Sequence, residues 1–237
     1  TLFRSQVNGV DIGMFADDFS AWASHKNTKF INKQLQRTLS QIEIWMNTWR
    51  TKLSTSKTVW TVFSKSNQCS PTQLSLTYDG QPIKMDRNPK FLGVTLDPGL
   101  RFNEYAKSIR TRTSRRLNML KRIKGKNWGA SSHLIMTTYK TLIRPIIDYV
   151  PFINLLMANT NYLILEKVQR RAARSITYWP IKTRTSDIYE QINLEDIRTR
   201  SIKLTDKYIT KALRTNELIK SLADSYNSAH QLNEGVW

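Results

Sequence analysis

The sequence predicts an α+β fold in which a strand-rich first part gives way to helices. Three observations carry that reading. Up to about residue 100, short apolar runs alternate with turn signals around one amphipathic stretch. At Asp97-Pro98-Gly99 the composition changes at a clear breaker. From Asn103 onward apolar residues recur every three or four positions almost throughout. A chain of 237 residues, 40% hydrophobic, allows one large domain or two small ones with a packed core. The expected divisions are residues 1–100, 101–180 and 181–237.

Val10 to Phe15 reads as a strand and Phe19 to Ala23 as its return, with Asp17 and Asp18 at the turn. The flanking Met14, Phe15 and Phe19 are large and apolar, so this hairpin is expected to be buried. Hairpin turns favour Asn-Gly or Asp-Gly. Two adjacent carboxylates with no glycine repel each other unless a positive charge lies between them. Hard carboxylate oxygens suit Mg²⁺, whereas a solvated turn is the ordinary alternative for any Asp-Asp pair.

Next comes a helix over Asn27 to Leu53, marked by Ile31, Leu35, Leu39, Ile42, Met46 and Trp49, with Asn27 or Thr28 as its cap. Val59 to Phe63 reads as a strand, and Leu74 to Lys84 as a hairpin around Asp79-Gly80. Lys90 to Asp97 reads as a further strand, in which Gly93 marks either a bulge or a close approach of backbone. Asn103 to Lys124 then forms a helix with Tyr105, Ile109, Leu117, Leu120 and Ile123 on one face and most of its arginines on the other. Gly125 and Gly129 interrupt it. Ser131 or Ser132 can cap a second helix reaching about Ile143, with Pro145 kinking or ending it. A third runs from Asn161 to Tyr178 and stops before Pro180. Two more helices are expected at about 186–191 and 194–214, and a weaker one near 216–227.

Charge narrows the function. Lys and Arg number 37 against 18 acids, a formal net charge of +19. Such an excess repels itself in a compact chain and implies a polyanionic partner. It is also clustered: after Glu104 no acid occurs until Asp148. The helix within that window carries Lys107, Arg110, Arg112, Arg115, Arg116, Lys121, Arg122, Lys124 and Lys126, with Lys140 and Arg144 beyond it. A merely solvated face would mix signs, so the bases from Lys107 to Lys126 are candidates to track nucleic-acid phosphates, with affinity falling steeply in salt. Trp128 and Tyr139 suit either base stacking or core packing. No apolar run approaches a membrane span. The single Cys69 excludes an internal disulfide framework, and His25, His133 and His230 are too scattered to suggest a ligand cluster.

Five segments, taken in order over roughly residues 8 to 180, resemble one family. Phe15-Ala16-Asp17-Asp18 resembles the [Tyr/Phe]-x-Asp-Asp box of reverse transcriptases, with Ala16 as in non-LTR retrotransposons and group II introns. Trp45-x-x-x-Trp49 followed by Lys57-Thr58 resembles the family's Trp-x-x-x-Trp…Lys-Thr segment. Lys90-Phe91-Leu92-Gly93-Val94-Thr95-Leu96-Asp97 resembles the primer-grip strand of non-LTR elements. Leu142 to Val150 and Leu165 to Arg174 resemble thumb segments of the jockey-like branch.

The resemblance implies part of a polymerase palm, an all-helical thumb and C-terminal helices that match no named motif. It implies RNA-directed DNA polymerase activity in the intact protein, with Asp17 and Asp18 as metal ligands for two Mg²⁺ ions. Lys57 would lie near the departing pyrophosphate, Phe15 and Ala16 at the nucleotide site, and Phe91, Leu92 and Gly93 at the primer. A solvated lysine is the plain alternative at Lys57. The implied partners are an RNA template, a DNA primer, deoxynucleoside triphosphates, and upstream fingers, palm and endonuclease domains. The implied setting is a ribonucleoprotein of nucleus and cytoplasm. The family's third carboxylate is expected upstream of Thr1, since Asp11 shares the hairpin's own strand, so the chain alone is expected to be inactive. Two alternatives stay open: a non-catalytic nucleic-acid-binding remnant of such an element, and a group II intron maturase-like protein.

Overall fold

The computed structural model describes residues 7–64, 74–123, 129–177, 179–180, 182–217, 219–221 and 223–225. Lys124, Lys126, Trp128, Cys69 and His230, and part of the helix expected at 216–227, lie outside these residues. The α+β expectation holds: short strands and one long helix come first, and helices follow. The chain divides into two compact units, Thr1–Leu100 and Arg101–Trp237.

In the first unit, β1 (Asp11–Phe15) and β2 (Asp18–Trp22) pair antiparallel, Met14 opposite Phe19 and Phe15 opposite Asp18. Side chains alternate across a strand, so Gly13, Phe15, Asp18, Ser20 and Trp22 share one face, and Ile12, Met14, Phe19 and Ala21 the other. Gly13 has a steric reason: a Cβ there would lie 3.2 Å from the Trp22 ring and 3.0 Å from Ser20 Oγ. The helix α1 (Thr28–Thr48) starts where the Asn27 side chain accepts the Lys29 and Phe30 N–H groups. It stops short of Leu53 because Arg50 turns left-handed, at φ 52°.

The expected strand at Val59 to Phe63 shortens to β3 (Val59–Trp60). Around Asp79 (φ 50°) and Gly80 (φ 68°), β4 (Thr77–Tyr78) and β5 (Gln81–Pro82) form the anticipated hairpin. β6 (Lys84–Met85) lies parallel to β3. Lys90 to Asp97 is not one strand. It folds into a second tight hairpin, β7 (Lys90–Phe91) and β8 (Val94–Thr95), because Leu92 (φ 45°) and Gly93 (φ 82°) both turn left-handed.

The core of this unit is Ile42, Leu76, Tyr78 and Ile83, with Phe19, Leu35, Leu39, Met46, Leu53 and Trp60 against it. Two side chains fasten α1 and β3 to it. The Gln36 amide donates to the Thr77 carbonyl at 2.9 Å and accepts the Thr77 N–H at 2.9 Å. The Trp60 indole donates to the Ile83 carbonyl at 3.0 Å. The buried hairpin expected at β1–β2 is corrected: Phe15 is 64% exposed, and Met14 and Trp22 are exposed too. Phe15 and Trp22 lie on the face away from Phe19, which reaches this core, while Met14 shares the face of Phe19 and is exposed as well.

The second unit is helical: α2 (Asn103–Arg122), α3 (Ser132–Thr138), a π turn (Tyr139–Ile143), α4 (Arg144–Ile147), α5 (Pro151–Leu156), α6 (Asn159–Thr177), α7 (Thr185–Gln191) and α8 (Ile197–Thr215). Ser131 caps α3 by accepting the Leu134 N–H. Pro145 does not end the helix. It lacks the N–H that an α-helix would use there, and the π turn, closed by the Arg144 N–H on the Tyr139 carbonyl, carries the chain past it. Ile123 leaves the expected apolar face and is exposed, because α2 has ended at Arg122. The short α5, which begins at Pro151, was not expected from the pattern.

Leu117 and Leu120 of α2 pack with Ile135, Tyr139, Ile143, Ala172, Ala173, Ile176, Ile188 and Leu194 in one core. Tyr139 is therefore a core residue and not a stacking platform. Its hydroxyl donates to Gln169 Oε1 at 3.0 Å, and Gln169 in turn donates to the Glu195 carbonyl at 2.9 Å. Burial pushes the Tyr139 phenol above its usual range.

Candidate functional site

The acidic hairpin presents its two carboxylates from different positions. Asp17 is the second residue of the two-residue turn, after Ala16 at φ 53°, while Asp18 already belongs to β2. The expectation that both sit in the turn is thus corrected by the register. Asp18 stands beside exposed Phe15 on one face, so that face pairs an aromatic ring with a carboxylate. Both acids are exposed and neither forms an ion pair among the described residues.

Their chemistry suits a hard divalent cation, but they supply two side chains. Among the described residues no group of three His, Cys, Asp or Glu could hold a metal ion. Asp11 does not complete one: it shares the face of Asp18 but pairs with Trp22 at the far end of the ribbon, about 13 Å along the strand. Lys57 ends an exposed turn in which its N–H donates to the Ser54 carbonyl at 3.2 Å, and it forms no ion pair with either carboxylate. Phe91, half-buried Leu92 and Gly93 lie on the β7–β8 hairpin, Leu92 and Gly93 at its tip and Phe91 40% exposed. They form a projecting turn where a strand had been expected.

The basic helix α2 buries Tyr105, Ala106, Ile109, Thr113, Leu117 and Leu120. At 100° per residue its exposed cations spread over the whole opposite arc. Arg110 and Lys121 lie on one flank, Lys107, Arg115 and Arg122 across the middle, and Arg112 and Arg116 on the other flank. Among the described residues, Lys107 and Arg116 make polar contacts within the chain. Lys107 Nζ lies 2.7 Å from Glu104 Oε1, an exposed pair worth little. Arg116 Nη1 donates to the Leu142 carbonyl of the π turn. Arg110, Arg112, Arg115, Lys121 and Arg122 form no ion pair among the described residues. Burial pushes the Tyr105 phenol up to about 12, against the pull of Arg112.

Arg144, counted from the sequence among the window's bases, is 6% exposed and joins a buried network. Its Nε lies 3.7 Å from Asp148 Oδ2, which also accepts from Arg200 Nε at 3.3 Å. Arg200 and Lys203 continue to Glu195. Burial raises the Asp148 carboxyl pKa even with both guanidiniums beside it, whereas the Lys203 hydrogen bond lowers that of Glu195. The i,i+4 spacing of Arg144 and Asp148 was the sequence signal for this network.

No family model matches the chain, and no solved structure matches it. Curated relatives do. The chain is 24% identical over 208 residues, 88% of its length, to "Probable RNA-directed DNA polymerase from transposon BS" of Drosophila melanogaster, covering 23% of that protein. It is 22% identical over 228 residues, 94% of its length, to "RNA-directed DNA polymerase from mobile element jockey" of the same species, covering 24% of it. A third relative, "Retrovirus-related Pol polyprotein from type-1 retrotransposable element R1 2" of Nasonia vitripennis, is 24% identical over 136 residues, 54% of this chain and 33% of its own. The chain spans about a quarter of the length of the first two. Low in identity but matched along most of its length, the chain is a homologue of the reverse transcriptases of jockey-, BS- and R1-type non-LTR retrotransposons.

Proposed function

We propose that the chain is the segment of an RNA-directed DNA polymerase running from the Asp-Asp hairpin through the primer grip and thumb. The observation that carries the reading is the exposed Phe15–Asp18 ladder pair with Asp17 at its turn, in a chain aligned along most of its length with such polymerases. Residues 1–100 are then the closing part of the palm, 101–180 the thumb, and 181–237 a helical extension. Asp17 and Asp18 would hold divalent cations, Mg²⁺ by ligand hardness, which when bound favour ionisation of the primer hydroxyl and offset charge on the pyrophosphate.

Phe15 and Ala16 line the nucleotide site, and Lys57 offsets charge or donates a proton at the leaving group. The Phe91–Gly93 turn meets the primer, where glycine lets backbone approach closely. Arg110, Arg112, Arg115, Lys121 and Arg122, with Lys124 and Lys126, track template–primer phosphates without reading sequence. Arg116 positions the π turn. The partners are an RNA template, a DNA primer and deoxynucleoside triphosphates.

A narrower reading, nucleic-acid binding without catalysis, draws support from the two-carboxylate set among the described residues. One experiment separates them. Residues 8–180 replace the aligned segment of the jockey polymerase, and RNA-templated primer extension is measured. The polymerase reading expects extension that Asp17→Ala lowers by at least about a hundredfold with template–primer binding unchanged. A chimera that binds template–primer but extends equally with and without Asp17 overturns it.

A further inference from the structure

The solvent side of α1 carries a basic row that belongs to none of the sites above. Lys29, Lys33 and Arg37 recur at four-residue steps, about 6 Å apart along the axis, and all three are exposed. They lie opposite the apolar positions Leu35, Leu39 and Ile42 that face the first unit's core. Neither lysine forms an ion pair among the described residues, and the first turn of the helix holds no acid. Two further features lie along this row. At its start, the Phe30 ring is 41% exposed and lies against exposed His25, with centroids 4.5 Å apart and the planes tilted by 37°. The imidazole is held there because its Nδ1 accepts the Asn27 N–H at 2.9 Å. Farther along, Arg37 enters a cleft of about 490 Å³ lined by Val7, Asn8, Gln34, Ser40 and Gln41 as well. Gln34 is 8% exposed, and its Oε1 accepts from Arg37 Nη1 at 3.3 Å, which ties the guanidinium to a second lining residue. Among the described residues no carboxylate lines it.

A row of cations beside an exposed aromatic pair is the arrangement that binds unpaired strands: phosphates follow the charges, and a base stacks on the ring. A purely solvated face would offer the charges without the aromatic platform or the polar cleft. We infer that the outer face of α1 binds single-stranded nucleic acid, with Lys29, Lys33 and Arg37 on successive phosphates and Phe30 under a base.

The test uses the full chain with single-stranded and duplex oligonucleotides, read by fluorescence anisotropy over a salt series. Neutralising three phosphate contacts with Lys29→Gln, Lys33→Gln and Arg37→Gln together should weaken single-strand binding by about tenfold and lower the salt slope by about 2. Phe30→Ala should weaken single-strand binding by about tenfold and leave duplex binding unchanged. A control triple on the exposed face of α8, Lys207→Gln, Lys211→Gln and Arg214→Gln, carries the same charge change. Circular dichroism confirms that each variant is folded. An unchanged slope in the α1 triple, an equal loss in the α8 control, or equal losses of single-strand and duplex binding in Phe30→Ala would each overturn the assignment.

Discussion

The two units hold themselves together in different ways. The second packs a core from four helices, α2, α3, α6 and α7, with the π turn, and joins buried polar groups beside it: Tyr139 to Gln169, Asn154 to Ser201 at 3.2 Å, and Arg144 to Asp148. The first has a small core around Ile42, and its sheets among the described residues are two-stranded ribbons. Its apolar hairpin residues Met14, Phe15 and Trp22 stand exposed. An isolated two-stranded ribbon is marginal in water. The contrast separates scaffold from site: the helical unit buries large apolar side chains in its own core, while the Asp-Asp hairpin projects its aromatic and acidic face outward.

That contrast can be broken by substitution. The largest stability effect should come from Ile42→Ala, about 3 kcal/mol in a core with few neighbours to share the loss. Hydrogen exchange should then accelerate through α1 and β4–β6 while α2 and α6 keep their protection. Equal loosening of both units would contradict two separately held cores.

Arg144→Met should cost the helical unit about 3 kcal/mol at pH 7, because it strips Asp148 of its buried partner. The pH dependence follows from the raised pKa of Asp148. A folded carboxyl that binds its proton more tightly than the unfolded one is most stabilising below the unfolded value, and stability falls as pH rises through the folded one. Losing Arg144 raises that carboxyl further, so the deficit should shrink as pH is lowered. Urea titrations at pH 7 and pH 5 check it, and a deficit that grows toward pH 5 would refute the network.

Gly13→Ala should cost about 1–2 kcal/mol, as its methyl meets the Trp22 ring and Ser20 hydroxyl. A shift in Trp22 fluorescence would report the displaced ring. Asn27→Ala should cost about 1 kcal/mol by removing the cap of α1, read as fraying of its first turn by hydrogen exchange. Smallest of all, Glu104→Gln should change thermal stability by no more than about 0.5 kcal/mol, because its pair with Lys107 is exposed.

What could be read beforehand follows the range of the forces involved. The Asp79-Gly80 hairpin, the Asn27 cap and the break after Asp97 are local, and each was legible from a few residues. The hairpin at Lys90–Thr95 was not, because Leu92 adopts a left-handed φ that its own side chain disfavours. The passage through Pro145 was hidden for the same kind of reason: Arg116, which ties down the π turn, lies 26 residues before Leu142. Arg144 was counted only as one base of the acid-free window, because its place in a buried network depends on Asp148 and on Arg200 of α8. At the site, Asp17 and Asp18 were legible from their motif, whereas the exposure of Phe15 and the division of the acids between turn and strand depend on register.

The central claim is that Asp17 is a metal ligand of a polymerase site. Its most direct test is a metal swap in the jockey chimera carrying Asp17→Cys, with primer extension measured in Mg²⁺ and in Mn²⁺. A thiolate is a poor ligand for Mg²⁺ and a better one for the softer Mn²⁺. Extension should therefore fall by at least about a hundredfold in Mg²⁺ and recover in part in Mn²⁺. Full activity of Asp17→Cys in Mg²⁺ would contradict the claim.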